Sequence, residues 1–342
     1  MRQSGAEAER WNRFVESRPE SNLCHRWEWR RVFEQAYRWR CHYLTIERSG
    51  ETRGILPLVQ MWRPFGARRL VSVPYLDQGG PLAETVDDEQ DLVHRAMKVL
   101  LRHRGRSLLL RGTLAHRPES ERTETGRARM VLALPPSSEE LWTKLNGKVR
   151  NQVRKAERSG LTTARGAAKQ LDEFYDVYAT NMRDLGSPPH TRRFFATLFE
   201  AFGPRAAIYS TRDETGLCVA AGIALRHGDS VVVPWASSLR EARSACPNHS
   251  LYWTILSDCI DQGATSFDFG RSWIDSGTFK FKKQWGAEPV PLRWLHIDDD
   301  GKMKSGDALK PSDHPLVTGI WSRLPVPIAN RVGGGVRRYL AN

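Results

Sequence analysis

The sequence predicts an α+β protein built from two domains of similar architecture. Its 342 residues correspond to about two domains of average size. Forty per cent of the residues are hydrophobic and 27% are charged, a balance that is typical of a globular protein with a sizeable core. One order of predicted elements (helix, strands, helix, strand) also occurs twice along the chain, in abbreviated form in the first half. Each domain is therefore expected to be a mixed, mostly antiparallel sheet flanked by helices.

The first half contains the abbreviated copy. Apolar residues at helical spacing predict a helix from Ser21 to Gln35. Two β-rich runs on either side of the turn residues Ser49 and Gly50 predict a hairpin. The hairpin strands and the later elements of this half are Cys41–Glu47, Ile55–Gln60, a strand at Arg69–Val73, a helix at Asp87–Leu101 and a strand at Ser107–Leu110.

A polar stretch from His116 to Arg129 separates the two halves and is expected to be a connector or a long hairpin. The strands predicted after it are Met130–Leu134, Ala206–Ser210, Cys218–Arg226, Ser230–Ala236, Ser266–Phe269 and Val290–Ile297. The helices are one that starts after Ser137, Leu171–Leu185, Arg192–Phe202, and one from its N-cap Asn248 to Gln262. The predicted domains are residues 1–129 and 130–300, followed by an extended basic tail, 301–342, with one short helix at Leu316–Leu324.

The net charge indicates an anionic partner. Fifty-two Lys and Arg residues against 39 Asp and Glu residues give a formal net charge of +13. Nucleic acid, a phosphorylated metabolite and an acidic membrane surface all fit this sign, and the charge alone does not select one of them.

The cysteines and the apolar runs indicate the cellular setting. The 5 cysteines are odd in number, widely spaced and never in a C-x-x-C pair, so neither structural zinc nor a disulfide framework is expected. The first residues show no apolar core of a secretory signal, and no run approaches the roughly 20 apolar residues of a spanning helix. We expect a protein of the cytoplasm, including the cytoplasmic face of the membrane. We also expect no metal site.

The segment from Leu141 to Arg158 is the most informative charged stretch. On a helix, its apolar residues share one stripe. The other positions carry six cations and only one acid, Glu157, within fifteen residues. Such a surface suits phosphate or carboxylate oxygens, and the alternative is a solvated basic face on an ordinary surface helix. The candidate binding residues are Lys148, Arg150, Asn151 and Arg154.

A second cluster runs from Phe267 to Gly286. A strand delivers Asp268 and Arg271 at its end, and lysines then alternate with aromatic residues. Glycines in this stretch allow a close approach of the backbone to a ligand, and lysines beside aromatic rings can hold an anion against an apolar wall. The alternative is a tight connection whose aromatic residues fill the core. The candidates here are Asp268, Arg271, Lys280, Lys282 and Trp285.

A third signal is Pro234 inside a predicted strand. Proline breaks a ladder hydrogen bond, so it indicates a bulge or a splayed strand edge. A splayed strand whose free amides point into a cleft can polarise a carbonyl group in acyl transfer. Prolines are also common in ordinary edge strands. The candidates beside it are Trp235 and Ser237.

Several motifs together resemble a known family, the FemAB-like proteins of the GNAT superfamily. The resemblance is strongest over residues 131–297, and the nearest branch is the one found beside exosortase/PEP-CTERM and exopolysaccharide loci. The motifs that carry it are Lys148-Val149-Arg150-Asn151-Gln152-Val153-Arg154-Lys155-Ala156, Asn181-Met182-Arg183-Asp184-Leu185-Gly186, Pro234-Trp235-Ala236-Ser237-Ser238, Asp268-Phe269-Gly270-Arg271 and Gly277-Thr278-Phe279-Lys280-Phe281-Lys282-Lys283-Gln284-Trp285-Gly286.

The resemblance implies two tandem GNAT domains with the active cleft mainly in the second. It also implies an acyltransferase that moves an acyl or aminoacyl group onto an amine and so forms an amide. The donor is then a co-substrate, an aminoacyl-tRNA or an acyl thioester, and no cofactor is permanently bound. The acceptor would be an amine-bearing precursor of the cell envelope or of an exopolysaccharide.

Roles for individual residues follow from the same resemblance. Lys282, in the Phe-Lys-x-x-Trp-Gly pattern, would lie near the donor or the developing oxyanion, and amides near Trp235 would assist it. Asp268 and Arg271 would line the cleft floor, where Asp268 is either a proton acceptor or a structural partner of Arg271. Lys148, Arg150 and Arg154 would grip the anion.

The chain departs from the acetyl-CoA-dependent GNATs at one point. Those enzymes carry an R/Q-x-x-G-x-G/A loop that cradles the CoA pyrophosphate, whereas the stretch from Ser238 to Pro247 contains no glycine. A donor carried by tRNA or by a carrier protein is therefore favoured over acetyl-CoA.

Three alternatives remain open at this stage. One is an N-acyltransferase that uses a thioester and modifies an amino sugar or a lipid-linked glycan precursor. Another is a non-catalytic basic module that binds RNA or a partner. The third concerns the tail, which has no acidic residue after Asp313 and could contact an anionic membrane surface through Arg323, Arg331, Arg337 and Arg338. Proline and glycine are expected to interrupt any helix there.

Overall fold

The computed structural model describes residues 2–62, 68–112, 123–304, 319 and 321–340. The chain divides into two compact units, each discontinuous in sequence. The first comprises Met1–Gly126, Pro291–Ser312 and Val336–Asn342, and the second comprises Arg127–Val290 and Asp313–Gly335. The domain limits inferred from the sequence stay a prediction.

The first unit is a sheet flanked by helices. Its strands follow the order β1-β2-β3-β5-β12, with β4 beside β2 and β13 beside β12. All of these pairs are antiparallel except β3 with β5. The helices are α1 (Arg2–Ser17), α2 (Glu28–Tyr37) and α3 (Val86–Arg102), and the strands are β1 (Arg40–Arg48), β2 (Glu51–Trp62), β3 (Arg68–Val71), β4 (Leu82–Ala83), β5 (Gly105–Arg111), β12 (Glu288–Asp298) and β13 (Met303–Lys304).

Local signals account for most of this unit. Ser49 and Gly50 both adopt positive φ, the conformation of a tight hairpin turn, and they join β1 to β2 as predicted. The predicted helix from Ser21 to Gln35 starts later, at Glu28, because residues Leu23–His25 form a 3₁₀ turn capped by the Asn22 side chain. The helix α1 has no counterpart among the predicted elements.

The second unit contains a sheet in the order β6-β11-β10-β9-β8-β7. Only the pair β10 with β11 is parallel. Its strands are β6 (Thr123–Ala133), β7 (Thr162–Gly166), β8 (Ala206–Arg212), β9 (Cys218–His227), β10 (Ser230–Ser238) and β11 (Ser266–Trp273). Its helices are α4 (Ser138–Lys144), α5 (Gly147–Arg158), α6 (Leu171–Asp184), α7 (Arg192–Phe202), α8 (Pro247–Asp261), α9 (Gly277–Lys283) and α10 (Val326–Arg337).

The basic segment folds as two helices rather than one. Leu145 has extended backbone angles, and the Asn146 side chain accepts a hydrogen bond from Val149 N, which starts α5 anew. The predicted apolar stripe is nevertheless intact on both helices. All of its members are buried: Leu141, Leu145, Val149, Val153 and Ala156.

Four other predictions differ from the structure. The predicted connector becomes strand from Thr123 onward, while residues 113–122 lie outside the described residues. The N-cap of α8 is Cys246, with Pro247 in the first turn, and not Asn248. β12 pairs with β5 of the first half of the chain, whereas the sequence groups this strand with those of the second half.

The C-terminal segment is the fourth difference. Residues that the sequence places in an extended tail form the helix α10, since its glycines pack closely against the second unit. Of the short helix predicted at Leu316–Leu324, residues 316–318 and 320 lie outside the described residues, while Gly319 and Trp321 are helical and the chain turns after Trp321.

Candidate active site

Two neighbouring strands of the second unit separate from each other part-way along their length. β10 and β11 pair only over three residues, Ser230–Val232 with Ser266–Asp268. Beyond this point β10 continues beside β9, and β11 continues beside β6. A register shift lies between Val232 and Trp235, so the bulge predicted at Pro234 is confirmed, and a second shift lies between Asp268 and Arg271. The two bulges bend the strands apart and open a gap between them.

Past Val232, the edge of β10 that faces β11 has no strand partner among the described residues. Neighbouring backbone groups of a strand point to opposite edges, so the β10 amides that do not bond to β9 face β11. No pairing to β11 is present past Val232 along the described length of β10. Amides of this kind can hold an anionic oxygen.

Gly270 is the residue at which β11 turns away. Its φ is +75°, a conformation that favours glycine. A Cβ atom added there would lie 3.1 Å from the carbonyl oxygen of Val233 on β10. Glycine therefore lets the two strands approach closely at the point where they separate.

Asp268 holds this bulge from one side. Its Oδ1 accepts a hydrogen bond from the Gly270 amide at 2.8 Å, and its Oδ2 lies 3.1 Å from Nη1 of Arg129 on β6. The carboxylate is almost fully buried. In the structural reading of Asp268, the neighbouring strand therefore supplies Arg129 as a partner that the sequence did not single out. The partnership with Arg271 stays a prediction.

Lys282 holds the bulge from the other side. This buried side chain comes from α9, whose N-cap Ser276 accepts a hydrogen bond from Phe279 N. Its Nζ donates to the carbonyl oxygens of Gly270 at 3.0 Å and of Arg271 at 2.9 Å. The ammonium charge is thus fixed at the place where β11 leaves β10.

The other face of α9 contacts an imidazole that the sequence did not single out. The His249 ring on α8 stacks on Trp285 with centroids 5.8 Å apart and meets Phe281 edge-on at 5.2 Å. Burial and the nearby charge of Lys148 lower the pKa of His249 to about 4, so the ring is neutral at pH 7. The indole N–H of Trp285 is buried and has no hydrogen-bond partner among the described residues.

The cations of α5 have two kinds of environment. Arg150 is half-buried, and its Nη1 donates to the carbonyl oxygen of Thr143 at 3.2 Å at the end of α4. Arg154 is exposed and lies over the Trp142 ring, 5.5 Å from its centroid. Lys148 and Asn151 are exposed, and within the described part of the chain no ion pair neutralises the α5 cations.

Two candidates on β10 are occupied by packing contacts. The Trp235 ring is buried and meets the rings of Phe194 and Phe195 edge-on, at 5.6 and 5.3 Å. Ser237 is also buried, and its Oγ accepts a hydrogen bond from Asn181 Nδ2 of α6 at 3.2 Å. These contacts fix α6 and α7 on β10. The backbone near Trp235, rather than its side chain, faces the gap.

The loop between β10 and α8 contains no amide cradle. Residues Glu241–Ala245 form a 3₁₀ helix, and Cys246 then adopts a φ of +61° before α8 begins. The Cys246 thiol lies 3.1 Å from Oε1 of Gln152 on α5, and its side chain joins an apolar cluster with Ala156. The start of α8 is thus formed by Cys246 in a left-handed conformation and by Pro247, without a glycine.

The predicted residues form two groups linked through α9. In the first group, Asp268, Lys282 and the backbone of Arg271 meet at Gly270. In the second group, the charge of Lys148 acts on the His249 ring, and this ring stacks on Trp285. Asn146 joins α5 to α9 directly, because its Nδ2 donates to the Gln284 carbonyl at 3.1 Å. The remaining candidates with exposed side chains, which take no part in these contacts, are Asn151, Arg154 and Lys280.

Sequence reasoning missed Arg129, Asn181 and His249. Asn181 lies in one of the quoted motifs, and this was a usable signal. Arg129 and His249 carry no local signal, because strand pairing and helix packing bring them to the site.

The described residues contain no group of three or more His, Cys, Asp or Glu side chains that could hold a metal ion. They also contain no helix with both the length and the apolar character needed to cross a bilayer.

Comparisons with known proteins agree on the fold. Residues 143–283 match the family model described as an acetyltransferase (GNAT) domain. The structure is similar to that of a tandem GNAT protein from the clavulanic acid biosynthesis pathway, with a TM-score of 0.55 and 12% identity over 91% of this chain and 96% of that one. The fold is that of the tandem GNAT proteins. This confirms the predicted fold class.

Two further solved structures resemble this GNAT fold. FemX superposes with a TM-score of 0.64 and 14% identity, over 84% of this chain and 95% of that one. L-PGS from Bacillus licheniformis gives a TM-score of 0.54 and 12% identity, over 92% and 96%. No curated protein matches the chain by sequence. The similarity to FemAB-like structures therefore concerns the fold, and the exosortase-associated branch stays a prediction.

Proposed function

We propose that this chain is an N-acyl or aminoacyl transferase that forms an amide on an amine acceptor. The observation that carries the proposal is the gap between β10 and β11, with the Lys282 ammonium fixed where the strands part. The gap lies in the stretch that matches a GNAT domain.

In the proposed reaction, a neutral amine attacks the carbonyl carbon of an ester or thioester donor. The C–N bond forms, the negative charge develops on the carbonyl oxygen, and the C–O or C–S bond then breaks. The nitrogen loses one proton to a base, and the departing oxygen or sulfur gains one. Lys282 and the β10 amides that face the gap would stabilise the developing oxyanion.

Asp268 has two possible roles in this scheme. Its hydrogen bonds to Gly270 and Arg129 favour a positioning role, in which it shapes the floor of the gap. It is also the candidate proton acceptor. Arg271 accompanies it at the floor, where its carbonyl oxygen holds Lys282.

The proposed donor is anionic and is carried by tRNA or by a carrier protein. The exposed cations of α5 support an anionic donor, with Lys148, Arg150, Asn151 and Arg154 as its contacts. The 3₁₀ helix at Glu241–Ala245 disfavours free acetyl-CoA, since it presents no glycine amides at the start of α8.

The proposed acceptor is an amine-bearing precursor of the cell envelope or of an exopolysaccharide. Support for this finer statement comes from the sequence motifs alone. Lys280 and Trp285 would contribute to the wall of the site, together with the backbone beside Trp235 and Ser237.

A donor screen tests the proposal. The purified chain is incubated with labelled aminoacyl-tRNA, with acyl-CoA and with an acylated carrier protein, each in the presence of amino sugars and lysine peptides. Intact-mass spectrometry then reports any acceptor that has gained an acyl group through an amide bond. We expect an amide product from a tRNA-borne or carrier-borne donor.

The same screen separates the alternatives. A product from acyl-CoA and an amino sugar would favour the thioester-dependent enzyme. Salt-sensitive RNA binding without any product would indicate a non-catalytic basic module. Arg154→Glu should raise KM for the anionic donor, whereas Lys98→Glu on the exposed face of α3 should leave KM unchanged.

A further inference from the structure

The C-terminal helix α10 presents an apolar face to solvent. Ile328 is 50% exposed, Val332 is 47% exposed and Val336 is 37% exposed. Side chains four residues apart lie on the same side of a helix, so these three form one continuous strip. A monomer rarely leaves such a strip uncovered without a function for it.

The rotation of α10 about its axis is fixed by its opposite side. Ala329, Gly333 and Gly334 are buried. A Cβ atom on Gly333 would lie 2.5 Å from Cδ of Pro189, and one on Gly334 would overlap the Thr191 side chain. Only glycine permits this close contact within the second unit. This packing therefore fixes the orientation of α10 in which the Ile328, Val332 and Val336 side chains face solvent.

The charged side chains that the C-terminal segment itself places beside the strip are cations. Arg331 is exposed on the same side of α10, and Arg323 is exposed just before the helix. The sequence has no acidic residue after Asp313. An apolar strip on a helix whose own charged residues are all cations matches the interface of an anionic bilayer, where acyl chains receive the apolar side chains and headgroup phosphates receive the guanidinium groups.

We infer that α10 binds peripherally to an anionic lipid surface, with Ile328, Val332 and Val336 inserted at the headgroup level and Arg331 among the phosphates. The helix has 12 residues, fewer than the roughly 20 that a span requires, so it would lie in the plane of the membrane. A symmetric contact between two copies is disfavoured, because it would bring like-charged arginines together.

The test is co-sedimentation of the full chain with vesicles. Vesicles made of equal parts of phosphatidylcholine and phosphatidylglycerol are compared with vesicles of phosphatidylcholine alone. We expect binding to the anionic vesicles only, with a partition coefficient that falls as salt is added. The double substitution Ile328→Ser and Val332→Ser should lower that coefficient at least about tenfold, and Arg331→Glu at least about fivefold.

Matched controls lie on α3, which also has exposed apolar and cationic side chains. Val86→Ser with Leu101→Ser removes two exposed apolar side chains, and Lys98→Glu makes the same charge change as Arg331→Glu. These controls should bind like the unmodified chain. Circular dichroism and thermal unfolding verify that each variant folds. If the double serine variant does not fold, Arg331→Glu alone provides the test.

Three outcomes would overturn the inference. One is the absence of binding to anionic vesicles, and another is an equal loss in the α3 controls. The third is concentration-dependent dimerisation that the serine variant abolishes while vesicles bind neither form, which would identify a second copy as the occupant of this face. None of these outcomes depends on transferase activity.

Discussion

Nζ of Lys282 lies 3.0 Å from the carbonyl oxygen of Gly270, the residue at which β11 turns away from β10. The amide of the same glycine donates to Asp268, so the lysine and the aspartate hold one peptide segment from two sides. The two residues proposed for chemistry therefore also maintain the shape of the gap. Experiments must separate these two contributions.

The first prediction concerns Lys282→Ala. The carbonyl oxygens of Gly270 and Arg271 would lose a charged donor, so the free energy of unfolding should fall by about 1 to 3 kcal/mol. If the ammonium group also stabilises the oxyanion, turnover per folded molecule should fall at least about a hundredfold. Urea unfolding measures the former, and the rate of amide formation measures the latter.

The adjacent, exposed lysine supplies the control for this change. Lys283→Ala removes the same kind of side chain from α9 and should alter neither quantity. If Lys282→Ala lowered stability while turnover per folded molecule stayed at its original value, Lys282 would have a structural role only.

A second prediction concerns the conformation of Gly270. Gly270→Ala forces a Cβ atom into a backbone region with positive φ and brings it 3.1 Å from the Val233 carbonyl oxygen. The free energy of unfolding should therefore fall by about 1 to 3 kcal/mol. Gly277→Ala is the control, because open space surrounds that residue in the first turn of α9. Equal stability of the two variants would be incompatible with a strained position at Gly270.

The sequence predicted those elements of the second unit whose signals are local. The helices α6 and α7 and the strands β8 to β10 were predicted to within a few residues, because amphipathic periods and turn residues define them. Pro234 identified a bulge for the same reason, since a missing amide donor acts on its own strand. Local chemistry was sufficient for these features.

The partners of the site residues could not be predicted in this way. Asp268 meets Arg129 because β11 pairs with β6, and the register of that pairing depends on the whole sheet. In the same way, β12 was predicted as a strand, but its pairing with β5 joins residues that are far apart in sequence.

The prediction for the segment that forms α10 was wrong because of its glycines. Gly333 and Gly334 are poor helix formers, so the sequence predicted an extended tail. In the structure, the absence of a side chain at these two positions lets the helix pack closely against Pro189 and Thr191. A tertiary contact of this kind overrides local helix propensity.

The third prediction tests the pair Asp268 and Arg129 by a double-mutant cycle. Asp268→Asn and Arg129→Gln should each destabilise the fold, and their coupling free energy should be about 1 to 3 kcal/mol, because the pair is largely buried. Chemical unfolding of the single and double variants measures it. The parallel cycle of Asp268 with Lys155→Gln, an exposed change on α5, should give a coupling near zero. A coupling to Lys155 as large as that to Arg129 would contradict the pairing described above.

The last prediction uses the imidazole between α5 and α9. Burial, and then the charge of Lys148, lower the pKa of His249 from its usual 6.5 to about 4 in the folded protein. The unfolded chain therefore binds a proton at this residue at a higher pH than the folded chain does. Folding stability from this group is fully present above about pH 6.5 and is lost as the pH falls from there toward 4.

His249→Phe keeps an aromatic ring beside Trp285 and removes the titrating group. The unmodified chain should lose about 2 to 3 kcal/mol more stability than this variant between pH 6.5 and pH 4, because the shift spans that interval. Urea unfolding across the range measures the difference. Lys148→Met should give an intermediate slope, since it removes the second cause of the shift, whereas Lys155→Met, an exposed change on the same helix, should leave the slope unaltered. Identical pH profiles for His249→Phe and the unmodified chain would mean that the imidazole is solvated and does not lie buried between the two helices.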